Sequence, residues 1–353
     1  MDAHSPATHL QADSEALPVF ERYRPAVVAE LRSVLAERSD PPFNLMRYHL
    51  GWEDERGRPI EGRGGKLLRP ALCLLCCEAA GGDWHRALPA AAALELLHNF
   101  TLIHDDVEDA SARRHGRETL WSLRGEAQAI NAGDGMFALA HVALLRLGEH
   151  GHPPNRVLRT VQMLDEAALR LCEGQYRDLS YAEQTEITPG DYMGMIEGKT
   201  AALLAASCGI GALLGGAGSD AVDALYQFGR RLGLAFQIRD DLLGIWGDPH
   251  VTGKPSGDDL RAGKKSYPVV VGLERASPDQ RRALQAVLTG DPTEEDVQRA
   301  CGLLEALGAR EETEQAARQY AEAAIAGLAG IDLVAERRGE LEQLARFAAE
   351  RRS

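Results

Sequence analysis

The sequence predicts an all-α protein, and both its composition and its residue pattern point to that class. Only 5% of the 353 residues are aromatic, whereas Ala, Leu, Glu and Arg, which favour helices, are plentiful. No stretch alternates between apolar and polar residues for long enough to predict a strand with confidence. Hydrophobic residues make up 44% of the chain, so we expect the helices to pack around a core.

The order of the expected elements can be followed along the chain. Residues 1–18 are polar and predict a frayed end, and a first amphipathic helix is expected from Val19 to about Arg38. Asp40-Pro-Pro ends that helix, and the Gly-rich, charged segment 51–66 predicts a loop. After Pro70 the helical pattern dominates nearly to the C terminus without a flexible linker. We therefore expect a single all-α domain over residues 19–353.

The charge balance argues against a nucleic-acid binder. Lys and Arg number 39 against 53 Asp and Glu, a formal net charge of −14, whereas nucleic acids need a basic surface. The first 25 residues contain no apolar run of signal-peptide length. The longest uncharged stretch, Thr200 to Ser219, is rich in Gly and Ala, so we interpret it as a buried helix and expect no transmembrane segment.

The cysteines indicate a reducing compartment. Cys73-x-x-Cys76 has a spacing seen in redox and zinc sites, but it lies inside the apolar run ALCLLCCEAA. No second Cys or His pair stands at a zinc-like distance from it. We expect a buried, reduced helix face and therefore a cytoplasmic protein.

Two acidic clusters stand at the ends of apolar helical segments. In the first, LELLHNFTLI precedes Asp105, Asp106 and Asp109, and the i, i+4 spacing places Asp105 and Asp109 on one helix face. Carboxylates at that spacing repel each other, at a cost of a few tenths of a kcal/mol, roughly, that a purely structural helix does not need. In the second, Gln237 lies one turn before the adjacent pair Asp240 and Asp241.

Two such clusters can face each other across a helical bundle and suit hard divalent cations. Mg²⁺ is usually held by one or two carboxylates together with phosphate oxygens of the substrate. Basic residues near Gly-rich or apolar segments point to the same phosphate chemistry. They are Lys66, Arg69, Arg113, Arg114, Lys199, Lys254, Lys264 and Lys265.

These residues resemble the trans-isoprenyl diphosphate synthases, also called polyprenyl synthetases, from about Phe20 to the C terminus. Asp105-Asp106-x-x-Asp109 is similar to the family's first aspartate-rich motif, and Gln237-x-x-Asp240-Asp241 is similar to the second. The segment GGKLLRP (64–70) resembles the diphosphate-binding element of the family, and Gly174-Gln175 and Lys199-Thr200 also match family positions.

The resemblance implies a fold, a reaction and a set of partners. The fold is a single helical bundle around a deep central cavity, usually in a homodimer. The reaction is the ionisation of an allylic prenyl diphosphate, assisted by three Mg²⁺ ions that the substrate diphosphate bridges, followed by attack of the alkene of isopentenyl diphosphate. Charge that develops on the leaving diphosphate is stabilised by metals and by basic side chains.

The resemblance also assigns residues. The metal ions would bind Asp105, Asp106, Asp109, Asp240 and Asp241, with Lys199 and Gln237 as further catalytic residues. Isopentenyl diphosphate would be held by Lys66, Arg69 and His98, and Arg114 would contact the allylic diphosphate. Thr200, Lys254 and Lys264 would be further substrate-binding residues.

Two departures from the family pattern leave alternatives open. His115 stands where a second Arg usually binds isopentenyl diphosphate, and Arg113 or Arg117 are candidates to compensate. Gly244 replaces the usual final Asp of the second motif. The main expectation is chain elongation; a terpene cyclase on the same scaffold, converting geranylgeranyl or farnesyl diphosphate, is the alternative. An inactive regulatory subunit is a third reading, which the five retained Asp residues disfavour.

Product length has one candidate determinant. Phe100 lies five positions before Asp105, so on a helix its ring would lie on the cavity wall below the metal ions. Thr101 beside it is small, so no aromatic side chain nearer to Asp105 is expected to block the cavity. We expect a product of farnesyl to geranylgeranyl size, with C20 favoured over C10.

Overall fold

The predicted helices are present in the computed structural model, which describes residues 18–36, 38, 40–60, 65–184, 186–252 and 255–351. The expectations for residues 1–17 and for Lys254 lie outside this part of the chain. The α-helices of the described residues are α1 Pro18–Leu35, α2 Pro41–His49, α3 Leu68–Ala79, α4 Leu88–Glu108, α5 Leu120–Arg124, α6 Glu126–Leu145, α7 Pro154–Glu183, α8 Pro189–Ile196, α9 Ala202–Gly215, α10 Ser219–Trp246, α11 Pro249–Thr252, α12 Asp258–Arg261, α13 Tyr267–Arg275, α14 Pro278–Thr289, α15 Glu294–Ala306, α16 Ala309–Ala326 and α17 Ala335–Glu350.

A small hairpin interrupts the helical architecture after α4. Strands β1 (Arg113–Arg114) and β2 (Arg117–Glu118) pair antiparallel, and they are the strands found within the described ranges. His115 and Gly116 form the two-residue loop, both in the left-handed region with φ of 50° and 78°. Such loops match the twist of a hairpin. Two residues per strand are too few to produce a periodic pattern, so the sequence did not predict this hairpin.

The core forms where α9 packs against α3 and α10. Small residues permit this packing: a Cβ added to Gly211 of α9 would lie 2.1 Å from the carbonyl oxygen of Cys73 in α3. Cys73 and Cys76 are fully buried, and all six cysteines are free. Burial raises the pKa of both thiols well above the usual value. The expectation of a buried, reduced helix face is confirmed.

The apolar stretch predicted to be a core helix also lies inside the protein. In the described residues, the segment Pro189–Gly215 is long and apolar enough to cross a membrane by length and composition alone. However, 72% of its most apolar window is buried among the other helices. Its apolar character is explained by core packing, and no membrane span is indicated.

The α10 helix connects two apolar clusters of the core. Leu225 and Phe228, in its first half, pack with residues of α1 to α7, α9 and α17. Ile238 and Ile245, in its second half, pack with residues of α8 and of α12 to α16. The second acidic cluster therefore lies on the half of α10 that is enclosed by the C-terminal helices. The single-domain boundary at residue 19 and the central cavity stay predictions.

Candidate active site

The first acidic cluster occupies the C-terminal end of α4. Asp105 and Asp106 belong to its last turn, and Asp109 is the residue that caps it. A helix C terminus carries partial negative charge, so three carboxylates there are electrostatically unfavourable without a cation. Arg114 of β1 supplies one: its Nε lies 2.8 Å from Oδ1 of Asp106, whose side chain is 3% exposed. Asp106 is thereby buried and paired.

Asp105 differs from Asp106 because its carboxylate is not occupied by another group in the described structure. Within the described part of the chain it makes no hydrogen bond or ion pair. Burial is the main cause that raises its pKa to about 6; the charges of Asp109 and Glu108 also raise it, whereas those of Lys199 and Arg114 lower it. A bound cation would favour the ionised form of this half-buried carboxylate.

Lys199 reaches this cluster from a distorted segment of helix. Residues Glu197–Ala201 form a π-helical turn between α8 and α9, a feature that is frequent at functional sites. A Cβ added to Gly174 of α7 would lie 2.1 Å from the backbone nitrogen of Lys199, so only Gly fits at this crossing. The Lys199 Nζ lies 2.6 Å from Oδ2 of Asp178. Burial lowers the pKa of Lys199, but Asp105 and Asp178 outweigh it and the net shift is upward.

In the second cluster, Asp241 is fully buried and surrounded by donors. Its Oδ2 accepts hydrogen bonds from the Tyr192 hydroxyl and, at 3.0 Å, from the backbone N–H of Tyr267. Its Oδ1 accepts from Gln237 Nε2 at 3.1 Å and lies 3.4 Å from the Lys264 ammonium. Because both oxygens are engaged by protein groups, Asp241 holds Gln237 and Lys264 in place.

Gln237 and Thr200 connect this cluster to the π-helical turn. The Thr200 hydroxyl donates to Gln237 Oε1 at 2.8 Å, and Gln237 in turn donates to Asp241. The amide of Gln237 is therefore oriented from both sides. Of the Lys199-Thr200 and Gln237-x-x-Asp240-Asp241 motifs, this chain of hydrogen bonds joins Thr200, Gln237 and Asp241.

Asp240 has a different partner from Asp241 and is 45% exposed. Its carboxylate pairs with the guanidinium of Arg351, near the C terminus. Arg351 is itself 6% exposed and stacks over the ring of Phe236, with 3.9 Å between Cζ and the ring centroid. Asp240 can accept a metal ion only if Arg351 shares or releases this carboxylate.

The missing third Asp of the second motif has a structural substitute. A Cβ added to Gly244 would lie 2.4 Å from Oδ2 of Asp259, which belongs to α12. The Asp259 carboxylate thus occupies the space beside residue 244, and the Lys264 ammonium is 3.6 Å from it. Burial lowers the pKa of Lys264, but Asp241 and Asp259 more than offset this, so the pKa is raised and Lys264 is cationic.

The expected isopentenyl diphosphate residues lie around the start of α3 and the middle of α4. Arg69 is half-buried, and its Nε has no hydrogen-bond partner in the described structure. Burial lowers the pKa of Arg69 to about 10, and the nearby Glu95 opposes that effect. Burial and the charge of Arg69 lower the pKa of His98 well below its usual value. Lys66 is exposed on the preceding loop.

The two candidate substitutes for the missing Arg lie in different settings, Arg117 held by backbone groups and Arg113 exposed. Arg117 donates to the carbonyl oxygens of Tyr48 and Glu53, each at 2.8 Å, and its guanidinium lies over the Tyr48 ring. It therefore anchors the hairpin to α2. Arg113 is exposed and is 3.4 Å from the carbonyl oxygen of Gly116, while His115 is exposed at the tip of the hairpin.

Phe100 faces α6 from the middle of α4. Its ring centroid lies 5.3 Å from that of Phe137 and 4.7 Å from that of His104. Phe100 is half-buried, so part of the ring is accessible. Its predicted place on the wall below Asp105 stays a prediction.

The structure adds residues to the site that sequence reasoning missed. Asp178, Tyr192, Asp259 and Arg351 contact the predicted residues, yet they stand alone in the sequence. Asp178 lies three positions after Gln175, one helical turn, and this spacing was an available signal. Among the described residues, no three His, Cys, Asp or Glu side chains form a closed metal site.

The donor set nevertheless fits a hard divalent ion. Asp105, Asp109 and Asp240 present carboxylate oxygens, which Mg²⁺ prefers, from two separate helices. The like charges of Asp109 and Glu108 act on the half-buried Asp105, and a divalent cation would offset this repulsion.

Comparison with known proteins identifies the same family that the sequence motifs resemble. A family model described as Polyprenyl synthetase matches residues 56–304. The (2E,6E)-farnesyl diphosphate synthase of Mycobacterium tuberculosis H37Rv is 40% identical over 342 residues, which cover 96% of this chain and 94% of that protein.

Solved structures extend the similarity to the fold. A polyprenyl synthetase from Streptomyces coelicolor A3(2) has a TM-score of 0.89 and 38% identity, covering 94% of this chain and 99% of that one. A geranylgeranyl pyrophosphate synthase from Corynebacterium glutamicum, in complex with isoprenyl diphosphate and magnesium, has a TM-score of 0.81 and 30% identity, covering 95% and 99%. The chain therefore belongs to the polyprenyl synthetase family.

Proposed function

We propose that this protein is a prenyltransferase that elongates an allylic prenyl diphosphate with isopentenyl diphosphate to a farnesyl- or geranylgeranyl-size product. One observation carries the proposal. The acidic clusters with their cations Lys199 and Lys264 form one part of the site, and Arg69 and the neighbouring His98 form a second, basic group at the start of α3 and in α4. The allylic prenyl diphosphate and isopentenyl diphosphate play different parts in the reaction, so each needs a subsite of its own. The relatives described above are elongating synthases by name.

The five Asp residues divide into two roles under this proposal. Asp105, Asp109 and Asp240 would hold Mg²⁺, because Asp105 makes no ion pair in the described structure, Asp109 is exposed and Asp240 is 45% exposed beside its pair with Arg351. Asp106 and Asp241 would orient Arg114, Gln237 and Lys264 around the ions. When bound, Mg²⁺ would supply stabilisation of the negative charge that develops on the leaving group.

The remaining residues bind and position the two substrates. Arg114, Lys199 and Lys264 present fixed positive charge to the allylic diphosphate, which stabilises the charge that grows as the C–O bond breaks. The hydrogen bond between Thr200 and Gln237 would help to hold these cationic side chains in position. Lys66, Arg69 and His98 hold isopentenyl diphosphate so that its alkene meets the allylic carbon. Lys254 is proposed on its motif alone.

Surface chemistry supports a homodimer. Leu145 of α6 is 66% exposed, and Leu158 and Leu169 of the adjacent α7 are 70% and 66% exposed. Leu158 and Leu169 are eleven residues apart, about three helical turns, so they share one face. An exposed apolar face of this kind favours a second copy as its cover. A monomer by light scattering would contradict the dimer. The free, buried cysteines also support a cytoplasmic location.

The release of diphosphate tests the elongation proposal. An elongase releases diphosphate from farnesyl or geranyl diphosphate rapidly only when isopentenyl diphosphate is present, whereas a cyclase releases it from farnesyl or geranylgeranyl diphosphate alone. We expect strict dependence on isopentenyl diphosphate. Release at an equal rate without it would favour the cyclase, and no release under either condition would favour the inactive subunit.

A further inference from the structure

Gly244 of α10 is packed against a carboxylate that comes from another helix. A Cβ added to Gly244 would have three atoms of Asp259, Cγ and both carboxylate oxygens, within 2.8 Å. Close-packed interiors do not accommodate such an overlap, so a side chain at residue 244 would require Asp259 to move. Glycine in a helix interior is unfavourable, and this close approach accounts for it here.

The segment that carries Asp259 is held against the end of α10. The Ser256 hydroxyl and the Gly257 N–H donate to the carbonyl oxygen of Ile245, at 2.9 and 3.0 Å. Leu260, the residue after Asp259, is fully buried among the C-terminal helices. The chain is therefore anchored on both sides of Asp259, which gives its carboxylate a defined place beside α10.

The Lys264 ammonium pairs with Asp259 and with Asp241. Its Nζ lies 3.6 Å from Asp259 Oδ2 and 3.4 Å from Asp241 Oδ1. The side chains of the two Asp residues are 18% and 0% exposed, whereas that of Lys264 is 45% exposed. The backbone N–H of Lys264 also donates to the Asp259 carbonyl oxygen at 2.8 Å. Two largely buried carboxylates thus hold the ammonium, while part of the Lys264 side chain remains accessible to an anion.

The third carboxylate of the second acidic cluster comes from a different element than the motif would place it on. An Asp at residue 244 would lie four positions after Asp240 and three after Asp241, on the same helix face. Gly244 leaves that position without a charge, and Asp259 brings a carboxylate to the adjoining space from α12. The cluster therefore keeps its acidic character.

We propose that Asp259 is a positioning residue of the allylic diphosphate site, which takes the place of the Asp absent at residue 244 and holds the Lys264 ammonium beside Asp241. The inference rests on the proposed function, because that function assigns Lys264 to the allylic diphosphate. Asp259 acts on the substrate through Lys264. Without the Asp259 carboxylate, the ammonium is drawn to the buried Asp241 alone and away from the accessible side of the site.

A stability cycle tests the geometry without reference to activity. Gly244→Ala should lower the melting temperature by about 2–6 °C, because its Cβ overlaps the Asp259 carboxylate. In an Asp259→Ala background, which removes the overlapping atoms, the same change should have little effect or raise the melting temperature. Gly302→Ala is the control, because a Cβ added to this exposed glycine of α15 meets no neighbouring group of the described residues within 4 Å. Equal losses in both backgrounds would overturn the inference.

Moving the carboxylate back to α10 tests what Asp259 does for the site. Calorimetry measures the binding of inorganic pyrophosphate in the presence of Mg²⁺. Asp259→Ala and the isosteric Asp259→Asn should each weaken this binding by about 5- to 10-fold. Gly244→Asp combined with Asp259→Ala should restore most of the affinity, which a purely structural role would not do. Asp279→Asn, at a side chain of α14 that is 87% exposed, should bind pyrophosphate as wild type does. A folded double variant without any recovery would count against the proposal.

A second cycle, with Lys264→Gln, separates the inference from the proposed function. Lys264→Gln should weaken pyrophosphate binding, and Asp259→Asn should add little to that loss, because both changes remove the same positioned ammonium. If wild type elongates but Asp259→Asn leaves pyrophosphate affinity unchanged, or if the two losses multiply, the inference alone is overturned. If wild type does not elongate but its pyrophosphate affinity depends on Asp259 through Lys264, the proposed function alone is overturned.

Discussion

The Arg114 Nε lies 2.8 Å from Oδ1 of the buried Asp106, and this pair joins the first acidic cluster to the β1–β2 hairpin. Because each side chain orients the other, we expect Arg114→Gln and Asp106→Asn each to lower kcat/KM by about 10- to 100-fold, a loss of one charge-assisted contact. The double variant should be little worse than either single variant, since the same contact is lost. Steady-state kinetics of the double-mutant cycle measures this coupling.

Arg113→Gln is the matched control for this cycle, because Arg113 is the exposed neighbour of Arg114. It should retain activity near that of wild type. Losses that multiply in the double variant would contradict a shared role for Arg114 and Asp106.

Substitutions of the adjacent residues Asp240 and Asp241 should differ in their effect on the free energy of unfolding. Asp241→Asn removes a buried charge that accepts from Tyr192, Tyr267 and Gln237, so we expect a loss of about 2–4 kcal/mol in unfolding free energy. Asp240→Asn should cost under about 1 kcal/mol, because its side chain is 45% exposed, yet abolish Mg²⁺-dependent turnover. Urea unfolding measures both. Equal stability losses would contradict the division of the two residues into orienting and metal-binding roles.

The pH dependence of the metal-free protein reports on Asp105. Its pKa is about 6 in the folded protein and ordinarily about 4 in an unfolded chain, so the folded state binds the proton more tightly. Stability from this group is complete below about pH 4 and is lost as the pH rises to about 6. Asp105→Asn should therefore raise the metal-free unfolding free energy at pH 7 by about 1–2 kcal/mol, discounted for partial exposure.

The same variant should show no gain at pH 4, where the wild-type carboxyl is already protonated. It should also lose the stabilisation that Mg²⁺ gives wild type at pH 7. A stability gain that is the same at both pH values would show that Asp105 does not titrate in this range.

Arg351 should compete with Mg²⁺ for Asp240. Arg351→Gln frees this carboxylate, so the Mg²⁺ concentration for half-maximal activity should fall by about 2- to 5-fold, an effect typical of a partly exposed ion pair. Loss of the Phe236 stack should lower the unfolding free energy by about 1 kcal/mol. Arg346→Gln, which removes an exposed pair with Glu342 on the same helix, is the control. An unchanged or higher Mg²⁺ requirement in Arg351→Gln would rule out this competition.

Phe100 should limit product length. Phe100→Ala removes a ring that packs on Phe137, which opens space along α4 below Asp105, and the product should become longer by at least one isoprene unit. The variant should lose about 3 kcal/mol of stability or less, since the ring is only half-buried. Chain length is read by mass spectrometry after phosphatase treatment. An unaltered product would place the floor of the cavity elsewhere.

The sequence predicted the parts of the site that depend on local spacing. Asp109 lies four positions after Asp105 and three after Asp106 at the end of an apolar helix, so helical geometry alone places them together. Lys199-Thr200 and Gln237 were also recognisable, and the structure joins Thr200 to Gln237 directly. The all-α class followed from composition for the same reason, because helix propensity is a local property.

Tertiary contacts could not be predicted in this way. Arg351 lies 111 positions from Asp240, so no periodicity relates them. The sequence also treated the five Asp residues as equivalent, whereas burial separates Asp106 and Asp241 from the rest. The compensation expected from Arg113 or Arg117 was left open, and the contacts of Arg117 with α2 argue against it.

The most direct test of the elongation account is product analysis with purified protein and Mg²⁺. Geranyl or farnesyl diphosphate is supplied with isopentenyl diphosphate, and geranylgeranyl diphosphate is supplied alone. The account predicts prenols of farnesyl to geranylgeranyl size that appear only with isopentenyl diphosphate and only after phosphatase treatment. A terpene hydrocarbon or alcohol formed from geranylgeranyl diphosphate without either addition would contradict it.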